Sequence, residues 1–122
     1  MKPSIKTYDA KSEYFFAEGC FINEFSNSAD DSEVSIAQAR LEPGKTTRWH
    51  HLLGTTERYV ILTGRGRVDI DDAISQEVGV KDVVVIPPEA KQRIENTGEN
   101  DLVFLVICSP PFSESVYVDD EP

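Results

Sequence analysis

Short apolar segments recur along this chain at intervals too brief for helices, and each is cut off by residues that favour turns. Strands are expected at 34–41, 47–52, 57–63, 67–70, 82–86, 92–96 and 102–108, with an earlier one at 21–25. Pro43-Gly44, Gly54, Gly64 with Gly66, Asp71-Asp72, Pro87-Pro88 and Thr97-Gly98-Glu99-Asn100 separate them, supplying backbone conformations that strands do not adopt. No segment carries the apolar spacing of an amphipathic helix of three turns. A parallel α/β fold, which needs crossover helices, is therefore excluded, and a closed or sandwiched all-β architecture is expected.

The 122 residues suffice for one core and not for two. The expected division is an N-terminal strand and loop segment over residues 1–32 that wraps the barrel, a β-barrel domain over 33–118 and an acidic tail over 119–122. The stretch 102–108, Leu-Val-Phe-Leu-Val-Ile-Cys, is apolar on both alternating faces. One face fills the interior. The other needs a cover, either from the same chain or from a second copy, so a homodimer is one of two readings.

Twelve basic against twenty-two acidic residues give a formal charge of −10, a field that repels nucleic acid. The acidic runs at 30–31, 69–72 and 119–121 read as solvated turns and a frayed end. The N-terminus lacks the pattern of a secretory leader and no apolar run reaches the length of a membrane span, so no membrane partner and a cytoplasmic location are expected. Cys20 and Cys108 have neither zinc-like nor redox-pair spacing and are expected to be buried free thiols.

Both histidines fall in the segment from Gly44 to Gly64. His50 and His51 are adjacent, and successive strand side chains point to opposite faces, so only one of them enters the interior of a regular strand. His50 shares its face with Arg48 and Leu52. Glu57 opens the following strand on the face of Tyr59 and Ile61, and a hairpin through Gly54 would bring its carboxylate to the His50 imidazole. An imidazole and a carboxylate are ligands for zinc, iron, manganese or nickel; a buried hydrogen-bonded His–Glu pair is the alternative. Gly64-Arg65-Gly66-Arg67 has no helix after it and reads as a hairpin turn rather than a phosphate loop. No serine has the context of a nucleophile elbow.

Gly44, His50, Glu57 and Gly64, in that order and spacing, resemble the first sequence motif of the cupins, with Leu52 where a second histidine stands in metal-binding members. The stretch 81–96 resembles the second motif through Pro87 and Asn96, with Lys81 and Glu89 in place of glycines and Gln92 in place of a histidine. The resemblance implies a double-stranded β-helix, the cupin or jelly-roll barrel, usually dimeric. It also implies a divalent transition-metal site at His50, Glu57 and Gln92.

Arg48, Leu52, Tyr59 and Ile61 are the expected walls of a pocket for a small-molecule ligand, and Glu57 is also a candidate general base. Two functions follow. One is a metal-dependent isomerase or dioxygenase; the other is a non-catalytic module that binds a sugar or an organic acid. A third reading is a dimeric scaffold with a vestigial pocket.

Overall fold

A computed structural model describes all residues, 1–122. It contains eleven strands: β1 (Tyr14–Phe16), β2 (Cys20–Ser26), β3 (Ser35–Leu41), β4 (His50–Leu52), β5 (Thr56–Thr63), β6 (Arg65–Ile70), β7 (Ile74–Gly79), β8 (Val83–Ile86), β9 (Gln92–Asn96), β10 (Leu102–Ser109) and β11 (Tyr117–Asp119). The only helical pieces are single 3-10 turns at Ala10–Ser12 and Glu114–Val116. No helix is long and apolar enough to cross a membrane.

The strands form a six-stranded sheet in the order β1-β2-β3-β10-β5-β8 and a five-stranded sheet in the order β11-β4-β9-β6-β7, with every pair antiparallel. From β3 onward the chain passes back and forth between the two sheets, and only β6 and β7 are a hairpin within one of them. This winding is the double-stranded β-helix. Alternation along each strand explains the core: Tyr59 and Ile61 of β5, Val68 and Ile70 of β6, and Leu102 and Phe104 of β10 point inward and are buried together.

The winding corrects two expectations. The turn at Gly54 is not a hairpin, because β4 and β5 lie in different sheets; His50 and Glu57 reach the interior from opposite walls. Gly64 likewise carries the chain from β5 in one sheet to β6 in the other. Lys81 and Glu89, which stand where the second motif has glycines, adopt left-handed φ values of 73° and 68°. Each such residue costs about 1–2 kcal/mol. Glu89 offsets the strain by closing the barrel end: its backbone N–H donates to the Leu52 carbonyl at 2.9 Å, and its carboxylate accepts from the Gly54 N–H at 2.7 Å.

The ends of the chain are more ordered than their composition suggests. Within residues 1–32, β2 pairs with β3 and β1 with β2, so the segment extends a sheet instead of merely wrapping it. At the other end β11 pairs with β4, and Asp119 and Asp120 meet Arg48 and His51 at 3.0 and 2.7 Å. Acidity here matches Arg48, just before β4, and His51 within it, and ties the edge strand β11 to its neighbour. Strand β7, a polar and exposed edge, carries no alternation to detect.

Close approach of β9 beside it and of β10 in the facing sheet fixes Gly66. A Cβ there would stand 2.5 Å from the Glu95 carbonyl oxygen and 2.8 Å from Leu102 Cδ2, whereas one at Gly79, which pairs with Arg65 at the same end of the hairpin, would meet nothing within 4 Å. Gly66→Ala is expected to lower unfolding free energy by about 1–3 kcal/mol, and Gly79→Ala to change it by less than about 0.5–1 kcal/mol. Urea denaturation of both variants checks the pair.

Candidate functional site

His50, Glu57 and Gln92 are 1%, 6% and 1% exposed, so all three belong to the interior. His50 on β4 stands directly opposite Gln92 on β9 in the strand register, which puts their side chains side by side. Glu57 enters from β5 across the barrel. Gln92 donates an amide N–H to Glu57 Oε1 and accepts the Tyr59 hydroxyl at its own oxygen. The Tyr59 hydroxyl also lies 3.4 Å from Glu57 Oε1, and the Cys108 thiol donates to Glu57 Oε2 at 3.7 Å. Every donor to Glu57 is uncharged.

The imidazole is held on both sides. His50 Nδ1 lies 2.7 Å from the Arg48 carbonyl, an acceptor only, so Nδ1 carries a hydrogen. Nε2 lies 3.1 Å from Glu18 Oε2, and that contact in turn requires one proton between imidazole and carboxyl. Glu18 sits in the turn between β1 and β2. Its backbone carbonyl accepts the Arg48 N–H at 2.8 Å, which docks that turn against the chain entering β4, and its other carboxylate oxygen accepts the Cys20 thiol at 3.2 Å. The ring of Tyr117, on β11, stacks on the imidazole at 5.2 Å.

These groups border a narrow cavity of about 40 Å³ lined by Glu18, His50, Leu52, Glu57, Cys108 and Tyr117 among others. Burial pushes the Glu57 carboxyl up to about 7, and the neighbouring Glu18 charge pushes the same way; His50 and the hydrogen bonds from Gln92 and Cys108 pull against it. Burial also pushes the Cys20 and Cys108 thiols up, and both are free and unreactive in character.

Of the expected pocket residues, Leu52 lines the cavity, while Tyr59 stands behind Glu57 and Ile61 lies in the apolar core. Arg48 is outside it. The strand begins only at His50, so Arg48 does not share the inward face, and its guanidinium pairs at the surface with Asp119. His51 points outward to Asp120. Glu18 and Tyr117 are the site residues that motif reading misses: one lies in a turn of the least patterned segment, the other on a three-residue edge strand.

The donor set does not fit a divalent metal. Gln92 presents its N–H groups to Glu57, its oxygen is taken by Tyr59, His50 Nε2 is engaged by Glu18, and Leu52 offers no ligand. No group of three or more His, Cys, Asp or Glu side chains converges as a metal shell.

Residues 37–108 match the cupin domain family Cupin_2. The chain is a cupin. It is 35% identical over 112 residues to an uncharacterized protein of Methanocaldococcus jannaschii, covering 89% of each. Among solved structures, this cupin is similar to the Streptomyces protein Pac13 in a variant bound to uridine, with a TM-score of 0.78 at 13% identity over 97% of this chain and 92% of that one. Pac13 is described as a nucleoside dehydratase. An uncharacterized double-stranded β-helix protein of Klebsiella pneumoniae aligns with a TM-score of 0.77 at 10% identity, covering 98% of this chain and all of the other. At such identities the likeness to the solved structures is one of fold.

Glu57 makes stability depend on pH with a definite sign. Its folded value, about 7, lies above its ordinary 4.5, so its contribution is fully present below 4.5 and is lost as pH rises to 7. Wild type is therefore expected to lose stability relative to Glu57→Gln between those two values and to show no further relative change above about 8. Paired denaturation curves across that range check the sign.

Proposed function

We propose that this cupin is a small-molecule enzyme that moves protons without a resident metal, with Glu57 on one side of the bound molecule and the His50–Glu18 pair on the other. The observation that carries the reading is the pairing of a buried, uncompensated carboxyl with an imidazole–carboxyl couple in one cavity. Two such groups with different protonation states divide the work of acid and base. Glu57, protonated about half the time near neutral pH, gives its proton to the substrate. The His50–Glu18 couple takes one at the Glu18 carboxylate, which His50 Nε2 holds from its side. Nδ1 stays bonded to the Arg48 carbonyl and fixes the ring.

Transfer of a proton away from one carbon and onto another gives an isomerisation. Delivery to a leaving hydroxyl gives elimination of water. The fold likeness to Pac13, a nucleoside dehydratase, favours the second class for this chain as well. Tyr59 and Gln92 orient the acid, and Leu52 and the aromatic rings exclude bulk water.

The test is a panel of small hydroxy and carbonyl compounds incubated in D2O with chelator-treated protein and followed by mass spectrometry. Deuterium incorporation or loss of water is expected to survive chelation and to fall about 10²–10⁴-fold in Glu57→Gln and His50→Gln. Near-stoichiometric transition metal in untreated protein, lost together with activity in His50→Ala, would return the site to metal chemistry.

The reading includes a homodimer. On the outer face of the six-stranded sheet, Val83 of the edge strand β8, Val60 and Leu105 lie in one row across three strands, and Val83 and Val85 are 59% and 58% exposed. Light scattering is expected to give the mass of two chains for wild type and of one for Val83→Lys; a monomeric wild type would remove the dimer from the reading.

A further inference from the structure

The cavity wall has a lopsided chemistry. Glu18, Glu24 and Glu57 contribute to it, and no lysine or arginine does. His50 is matched by Glu18, which leaves Glu57 without a cationic partner, although it accepts from two neutral donors, Gln92 and Cys108. The rest of the wall is mostly apolar, with aromatic rings on one side. Phe16 meets Tyr117 edge-on at 5.1 Å and Phe112 at 6.0 Å, and Tyr117 in turn covers His50. The Tyr117 hydroxyl oxygen is buried in this wall and is the one such side-chain atom with no hydrogen-bond partner.

A carboxyl lacking a countercharge, aromatic faces and a buried phenol oxygen free to accept form together the surroundings that favour an ammonium group. An anion would face carboxylates with no donor cation to receive it.

We propose that the cavity takes a small organic cation, a molecule ending in a protonated amine seated between Glu57 and the rings of Phe16 and Tyr117, and that it rejects carboxylates and phosphates. This rests on the site assigned to proton transfer but concerns only what binds there: an ammonium that holds Glu57 as the carboxylate is a ligand that blocks proton donation and not the molecule that receives the proton, and the organic acids considered as ligands from the sequence are excluded. Tyr117 is a specificity residue in this scheme: its hydroxyl oxygen accepts an ammonium hydrogen and its ring lies beside the charge.

Binding is linked to the proton on Glu57. The groups that face this carboxyl are Glu18 from the β1–β2 turn, Cys20 of β2, His50 of β4, Tyr59 of its own strand, Gln92 of β9 and Cys108 of β10. A bound ammonium favours the charged carboxylate, so its affinity rises as pH passes upward through about 7 and levels off above.

Three probes of similar size and different charge decide the matter: n-propylammonium, 1-propanol and propionate, titrated into the full chain and followed by NMR of the cavity residues. At pH 8 the ammonium is expected to bind about tenfold more tightly than the alcohol, with propionate binding more weakly than either. Ammonium affinity is expected to fall about tenfold at pH 6, and the preference over alcohol to disappear in Glu57→Gln. Tyr117→Phe, which keeps the ring, is expected to weaken the ammonium alone and guards against a Glu57 variant that fails to fold. Equal or tighter binding of propionate, parity of alcohol and ammonium, a pH-independent preference, or no binding by any probe overturns the proposal. None of these results bears on whether deuterium exchange or dehydration occurs, so the two readings fail separately.

Discussion

A barrel closed from two sheets has a single interior, and Glu57 is a carboxyl placed inside it. Ionising that group away from water costs several kcal/mol unless charge or hydrogen bonds compensate. This chain supplies only neutral donors, from Gln92 and Cys108, and sets a second carboxyl, Glu18, nearby. Three strands and a turn are thereby committed to one side chain. The balance leaves the proton on Glu57 close to evenly shared at neutral pH, which is the condition acid–base chemistry needs.

The way the chain winds determines what can meet across the interior. Because successive strands alternate between sheets, residues seven apart, His50 and Glu57, come from opposite walls and leave a gap between them that a hairpin would have closed. Glu18 joins them through a backbone bond to Arg48 and not through any nearness in sequence. Tyr117 arrives on β11, held by backbone pairing to β4 and by the acidic residues that follow it against Arg48, Trp49 and His51. The acidic terminus thus helps to position one wall of the site.

Where burial alternates along a strand, the sequence was readable: β5, β9 and β10 were located from their patterns, and His50, Glu57 and Gln92 from two motifs that survive with substitutions. Lys81 and Glu89 show why the second motif is recognisable without its glycines, since both keep the left-handed backbone that glycine would adopt with less strain. What escaped was governed by partners distant in sequence. Glu18 lies in a turn whose position depends on β4, Tyr117 on a strand too short to have a period, and β7 on an edge that is exposed over its first four residues. Arg48 lies two residues before the point where pairing begins, so the alternation of the strand does not govern its direction. The metal expectation followed residue identity at the motif positions; the direction of the Gln92 amide and the engagement of His50 by Glu18 depend on neighbours the motif does not contain.

The protonation of Glu57 in the folded, metal-free protein is the most direct measure of this arrangement. Side-chain carbon NMR of protein labelled at glutamate, titrated from acid to alkaline pH after chelator treatment, follows each carboxyl separately. One glutamate titrating at about 7, and absent from Glu57→Gln, is the expected result. If every glutamate titrates near the ordinary 4.5, Glu57 is charged throughout the neutral range and cannot serve as the proton donor.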